Sequence, residues 1–249
     1  MSVIKIGDLR ESKNYGRFEV IARTPGKITI KFVATGYTCT YDKNQVRKGD
    51  VKDCMARIIY GVGFYGDGSF TKDKPKELVA KALESWHSMF KRCYDERLHK
   101  LRVTYKDCTV SNDWHNFQSY AKFYIEDAYR LDGWELDKDL LVKGNRLYSP
   151  STCVYLPRDI NGALKTNNTH RSLLPIGVFK CSSGGFKARC RDHESVQVIL
   201  GKFTTENEAF HAYKCFKESV IKRKALDWKD SISPLAYKAL MEYCVEITD

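Results

Sequence analysis

Asp137 and Asn161 are the two side chains whose type and placement point to chemistry, because each offers an oxygen donor suited to one hard divalent cation, Mg²⁺ or Mn²⁺. Both lie in the stretch Gly133–Asn161, GWELDKDLLVKGNRLYSPSTCVYLPRDIN, which predicts a hairpin running into a helix. Trp134-Glu135-Leu136-Asp137 reads as a short apolar–acidic strand, and Lys143-Gly144-Asn145 supplies turn residues. Thr152 to Leu156 reads as a second strand, and Pro157 starts a helix, where its missing N–H goes unneeded. Asp137 then falls on the first strand and Asn161 on the helix, so the fold is expected to bring the two ligands together. The plainer reading of Asp137, Asp139 and Asn161 is an ordinary hairpin followed by a capped helix.

The rest of the chain must position this stretch. Its 249 residues are enough for one large or two to three small domains, and 43% hydrophobic content argues for a folded protein. The net charge of +11 is unevenly spread. Residues 1–59 carry 12 Lys+Arg against 6 Asp+Glu, residues 60–168 carry 17 against 15, and residues 169–225 carry 11 against 5. Two basic blocks flanking a neutral one are expected to grip a polyanion. The nine cysteines form no C-x-x-C and read as small buried hydrophobes in a reducing compartment. MSVIKIGDLRESK holds no signal-peptide run, and no stretch reaches a membrane span, so an intracellular, soluble protein is expected.

Residues 15–50 alternate in strand fashion through Phe18, Val20, Ala22, Ile28, Ile30, Phe32, Tyr37, Cys39 and Tyr41, as in a small barrel of the Src-homology kind. Lys27 and Lys31 have the opposite parity and face solvent; with Arg47 and Lys48 they make a candidate phosphate-binding edge, or simply a solvated face. Gly61, Gly63 and Gly66 satisfy G-x-G-x-x-G, yet Phe64 and Tyr65 crowd the loop and no helix opens at the third glycine, so a dinucleotide site is rejected. The expected reading there is a strand turning at Asp67-Gly68. Two helices follow, Pro75 to about Tyr94 and Trp114 to Ile125, and His115 in the second is a candidate base or an ordinary core histidine. Neither G-x-S-x-G nor H-E-x-x-H occurs.

Three strands are expected between Pro175 and Leu200. Parity turns Phe186, Ala188 and Cys190 inward with Val196, Val198 and Leu200, and turns Lys187, Arg189 and Arg191 outward with Gln197 and Ile199. Thr205-Glu-Asn-Glu208 is a capping box opening a helix whose apolar stripe covers the inner face. Ser233-Pro234 caps a last helix.

On Gly177-Val178, Phe186-x-Ala188-x-x-x-Arg191, Leu200-Gly201-x-Phe203 and Glu206-x-Glu208-Ala209-Phe210-x-Ala212-Tyr213, the block Ile176–Lys222 resembles the ethylene-response-factor (Apetala-two) type of DNA-binding domain. The resemblance implies a sheet lying in the major groove of DNA, with Phe179, Cys181, Arg189, Arg191, Gln197 and Ile199 at contact positions and Lys180 and Lys187 as further phosphate contacts. The middle block resembles phage-encoded HNH-type proteins. It does so on Trp86-x-x-Met89-x-x-Arg92-Cys93-Tyr94, Cys108-x-Val110-x-x-x-Trp114-x-x-Phe117, Leu136-Asp137-x-Asp139 and Tyr148-Ser149-Pro150-x-x-Cys153. That resemblance implies metal ligands at Asp137 and Asn161. It also puts Lys138 at the general-base histidine position and Thr152 at the orienting asparagine position. A lysine beside carboxylates stays protonated and is a poor base, which leaves Asp139, His115 or a metal-bound water to do the work.

The expectation is therefore a multi-module α+β protein. Residues 1–59 form a basic barrel, 60–170 an HNH-like module, 171–225 the DNA-binding sheet domain and 226–249 a terminal helix. Its expected partner is double-stranded DNA, with no membrane and no dinucleotide. Three functions compete: metal-dependent, site-selective cleavage or nicking of duplex DNA by a homing-type endonuclease; duplex binding by a catalytically degenerate descendant; and RNA binding, which rests only on charge interleaved with 15 Tyr and 12 Phe.

Overall fold

A computed structural model describes residues 3–165 and 174–249 and shows a mixed α+β chain with several small sheets. It divides into two compact units, 1–126 and 127–249. No helix among the described residues is long and apolar enough to cross a membrane.

In the first unit, alternation produces an antiparallel meander of β1 (Leu9–Ser12), β2 (Gly16–Thr24), β3 (Lys27–Phe32) and β4 (Thr38–Asp42), in that linear order, followed by α1 (Lys43–Lys48). Phe18, Val20, Ile28, Ile30, Phe32, Val46 and Val51 bury together beneath it. Ala22 is exposed and does not continue the Phe18–Val20 row, because the register with β3 shifts between Val20 and Ala22. One extra residue in a strand turns the next side chain to the other face.

The glycine-rich segment does not reverse at Asp67-Gly68. The tight turn is at Tyr60-Gly61, both with positive φ, and it closes an Ile59↔Gly63 bridge. Two successive left-handed residues give the turn whose twist matches paired strands, and a glycine at the second position is its usual signature. The other glycines serve packing: a Cβ on Gly63 would lie 2.9 Å from the Phe90 ring, and one on Gly66 would lie 2.4 Å from Asn116 Oδ1. The buried Gln118 side chain holds this segment, accepting from the Phe70 and Thr71 N–H groups and donating to the Tyr65 carbonyl. Helix α2 (Lys76–Tyr94) buries Ala82, Trp86, Met89, Phe90 and Cys93, and α3 (Glu96–Leu101) follows. After β5 (Thr109–Val110), α4 (Phe117–Glu126) buries Phe117, Tyr120, Ala121 and Tyr124. The Trp86 indole donates to the Trp114 carbonyl at 2.8 Å, a partner that a buried indole N–H needs.

In the second unit β6 (Glu135–Asp137) pairs antiparallel with β8 (Val154–Leu156), with β7 (Leu147–Tyr148) between them in sequence, and α5 (Arg158–Leu164) follows at once. β9 (Val178–Lys180), β10 (Phe186–Arg191) and β11 (Gln197–Phe203) form a second sheet with β10 central. α6 (Glu206–Asp227) and α7 (Pro234–Met241) complete the unit.

One helix serves both parts. The first half of α6 lays Ala209 and Tyr213 against Val178, Ala188 and Cys190 of the sheet. Its second half packs Ile221 and Ala225 against Leu140, Val154, Leu156 and Ile160 of the hairpin and α5, with Ala236 and Leu240 of α7. The buried Lys224 ammonium closes the junction, bonded to Asp159 Oδ2 at 3.2 Å and to the His193 carbonyl at 2.8 Å. Sheet and hairpin are thus fixed on a single rod of 22 residues, about 33 Å long at 1.5 Å per residue.

Candidate functional site

Strand alternation puts Glu135 and Asp137 on one face of β6 and Leu136 and Lys138 on the other. Asp137 does not present an open carboxylate. Its Oδ1 accepts the N–H groups of Asp139 at 2.9 Å and Leu140 at 2.7 Å, which closes the turn leaving the strand. Burial pushes this carboxyl above the ordinary carboxylate range, against the pull of those two N–H groups. Asn161, buried on α5, donates its amide to Glu135 Oε2, and Arg158 and Lys165 flank the same carboxylate. The helix asparagine therefore does reach back to β6, and its hydrogen-bond partner there is Glu135.

Lys138 is only 6% exposed. Its ammonium bonds the Asp139 carboxylate at 2.6 Å and the Asn145 carbonyl, and it lies 5.9 Å from the centre of the Tyr148 ring. Asn145 answers by donating its amide to the Lys138 carbonyl at 2.9 Å and to the Leu147 carbonyl. At the position where the resemblance expects a base there is a clamp that fastens the loop. Thr152 is likewise turned inward, its hydroxyl donating to the Leu147 carbonyl at 2.8 Å. His115 belongs to the other unit, buried with Nε2 bonded to the Val110 carbonyl at 3.0 Å.

A divalent metal fits this donor set poorly. One Asp137 oxygen already serves two backbone donors, Asp139 is engaged by Lys138, and no group of three or more His, Cys, Asp or Glu that could hold a metal occurs among the described residues.

The outer face of the three-stranded sheet is built differently. Arg191 pairs across with Gln197 and Arg189 with Ile199, while Lys187 faces Phe179 on one side and Lys202 on the other. A register shift between Ala188 and Arg189 keeps these side chains on one surface while twisting the strand. The Arg189 guanidinium lies 3.7 Å from the centre of the Phe179 ring, a stacking that fixes its plane, and its Nε has no hydrogen-bond partner among the described residues. Ile199, 67% exposed, stands bare among these cations. Cys181 sits past the end of β9 and donates its N–H to the Gly185 carbonyl.

The structure also places Lys180 and corrects the inward placing of Val196. Lys180 pairs with Phe186, an inner-row residue, so it lies on the opposite side of the sheet from Lys187. Val196 precedes β11 in the turn and is 55% exposed, so it does not point inward. Parity also passed over Lys202, exposed beside Lys187, because it lay beyond the expected third strand and the extra residue Leu200 switches its side.

On the first unit, Lys27, Lys31, Arg47 and Lys48 are all exposed. Lys27 pairs with Asp42 at 3.0 Å and Arg47 donates to Asn44 at 3.2 Å, so part of that charge is locally matched. Sequence reasoning missed Glu135 as the partner of Asn161 and Asn145 as the hub of the loop; the i, i+2 parity of Glu135 with Asp137 was the available signal for the first. Set against known proteins, the chain matches no family model, no curated protein and no solved structure.

Proposed function

We propose that the chain binds double-stranded DNA through the outer face of the β9–β10–β11 sheet, as a catalytically degenerate descendant of the HNH endonuclease lineage. The observation that carries the reading is the row Lys187, Arg189, Arg191, Gln197 and Lys202 on one surface, interrupted only by Phe179 and Ile199. Cations there suit phosphates, while arginine and glutamine forks suit base edges and apolar groups suit thymine methyls. Within this reading the N-terminal meander acts as a small basic barrel and a second phosphate grip through Lys31, Arg47 and Lys48. The test is fluorescence anisotropy of a labelled duplex, with single-stranded RNA of the same length as competitor. Displacement by RNA as efficient as by unlabelled duplex would sink the assignment.

Metal-dependent cleavage is the second reading, and one observation favours it: the strand–strand–helix order of β6, β8 and α5, with Asn161 reaching back to β6. Plasmid nicking with Mg²⁺ or Mn²⁺ decides between the two. The first reading predicts no nicking above background by wild type, whereas nicking abolished by Asp137→Ala would favour cleavage.

A further inference from the structure

At the β9 edge of the second sheet the strands are unequal. β9 stops pairing at Val178↔Ala188, and among the described residues only the Gly177 carbonyl continues the edge beyond it, accepting the Arg189 N–H at 2.9 Å. The Asp192 N–H bonds the Val196 carbonyl on the β11 side. By the alternation of an antiparallel ladder, the Arg191 N–H therefore points to the β9 side, where no described strand residue pairs with it. Among the described residues the result is a notch of ≈ 330 Å³ whose lining includes Gly177, Phe179, Arg189, Arg191, Lys217 and Lys165.

The notch has an unbalanced charge. Among the described residues four cationic side chains line it and no carboxylate does. Arg191 spends one guanidinium N–H on the Ser195 carbonyl at 3.2 Å, and Lys165 is held by Glu135 at 3.4 Å. Lys217, half-buried on α6, has no hydrogen-bond or ion-pair partner among the described residues, and Arg189 Nε is buried and unpartnered. Burial depresses the Lys217 ammonium below the ordinary lysine range, opposed by the Cys190 sulfur and reinforced by the like charges of Arg191 and Lys224. Lys217, Arg189 and Arg191 converge without a counter-charge among the described residues, an arrangement that is costly to maintain unless an anion joins them.

We infer that this notch is a binding site for one phosphoryl anion, with Lys217 and Arg191 as its principal donors, Arg189 as a stacked third and Lys165 closing the rim. A phosphate oxygen is the ligand class that takes several charge-assisted N–H bonds at once. The site stands on its own charge and geometry. Only the identification of the anion with a backbone phosphate rests on the duplex-binding reading.

The test is a titration of the ¹⁵N-labelled full chain with inorganic phosphate, ionic strength held constant with chloride. Saturable amide shifts are expected at Gly177, Arg189, Cys190, Arg191 and Lys217, with affinity weakened about five-fold or more in Lys217→Gln, the loss expected for one charge-assisted bond. Arg191→Gln gives the same readout should Lys217→Gln lose the native spectrum. Shifts that do not saturate, that scatter over the surface, or that persist unchanged in the variant overturn the site. Adding a duplex to the phosphate-loaded chain separates the sources. Displacement of phosphate assigns the anion to a backbone phosphate, and binding of both together assigns it to a free phosphoryl group. The first arm contains no nucleic acid, so its failure is distinct from a failure of duplex binding.

Discussion

Asp137 is an acid whose surroundings favour its neutral form, and the geometry explains how the fold tolerates that. Both backbone bonds go to Oδ1, so Oδ2 can carry a proton without breaking the turn. Asp137→Asn keeps the acceptor and should leave stability near wild type, whereas Asp137→Ala forfeits two hydrogen bonds and should cost about 1–3 kcal/mol in denaturant unfolding. The pH dependence has a definite sign. With the folded pKa raised above 3.8, the native state binds more protons than the unfolded state between that value and the raised one, so the contribution of Asp137 to stability falls as pH rises through this window. Asp137→Asn should flatten that slope in thermal unfolding followed upward from the ordinary carboxylate range, and an unchanged slope would remove Asp137 as its source. Asp137 and Asn161 were legible as residues; their partners were not. A sequence gives the parity of Glu135 with Asp137, yet which of them meets Asn161 depends on where α5 lies against the strand.

Elements whose signal is local were the easiest to read. The capping box of α6 is present, with Glu208 N–H to Thr205 Oγ1 at 3.3 Å and Thr205 N–H to Glu208 Oε2 at 3.1 Å, and the apolar stripe of α2 is buried as its spacing predicts. What periodicity cannot convey is an insertion into the period. The two register shifts, one in β2 after Val20 and one in β11 at Leu200, break the alternation of those strands, and the first turned Ala22 out of the core. Nor does sequence reveal that α6 is shared, because a helix that packs on both a sheet and a hairpin shows two different apolar faces along its length. Gly177 gives the sharpest test at this level. Its φ is +75°, and a Cβ there would sit 2.0 Å from the Tyr213 ring, the residue that anchors α6 under the sheet. Gly177→Ala should therefore destabilise the second unit by about 2–5 kcal/mol, the sum of left-handed backbone strain and overpacking. A variant melting within 1–2 °C of wild type, a shift on the order of 0.5 kcal/mol or less, would contradict that packing.

Across the whole molecule the excess of cations is the property most visible in composition, and the fold concentrates part of it on one sheet face. A chain at +11 attracts any polyanion, so weak duplex binding alone would say little about the sheet. The discriminating quantity is the dependence of affinity on salt, because each phosphate neutralised adds about 0.9 to the slope of log K against log salt. Arg189→Glu with Arg191→Glu reverses two charges at the centre of the proposed face while leaving Lys27, Lys31, Arg47 and Lys48 untouched. Duplex affinity measured by anisotropy from low to moderate salt should then fall at least about ten-fold at the lower end, with a slope shallower by roughly two. Equal affinity and an unchanged slope in a natively folded double variant would mean that DNA, if bound at all, is held elsewhere on the chain.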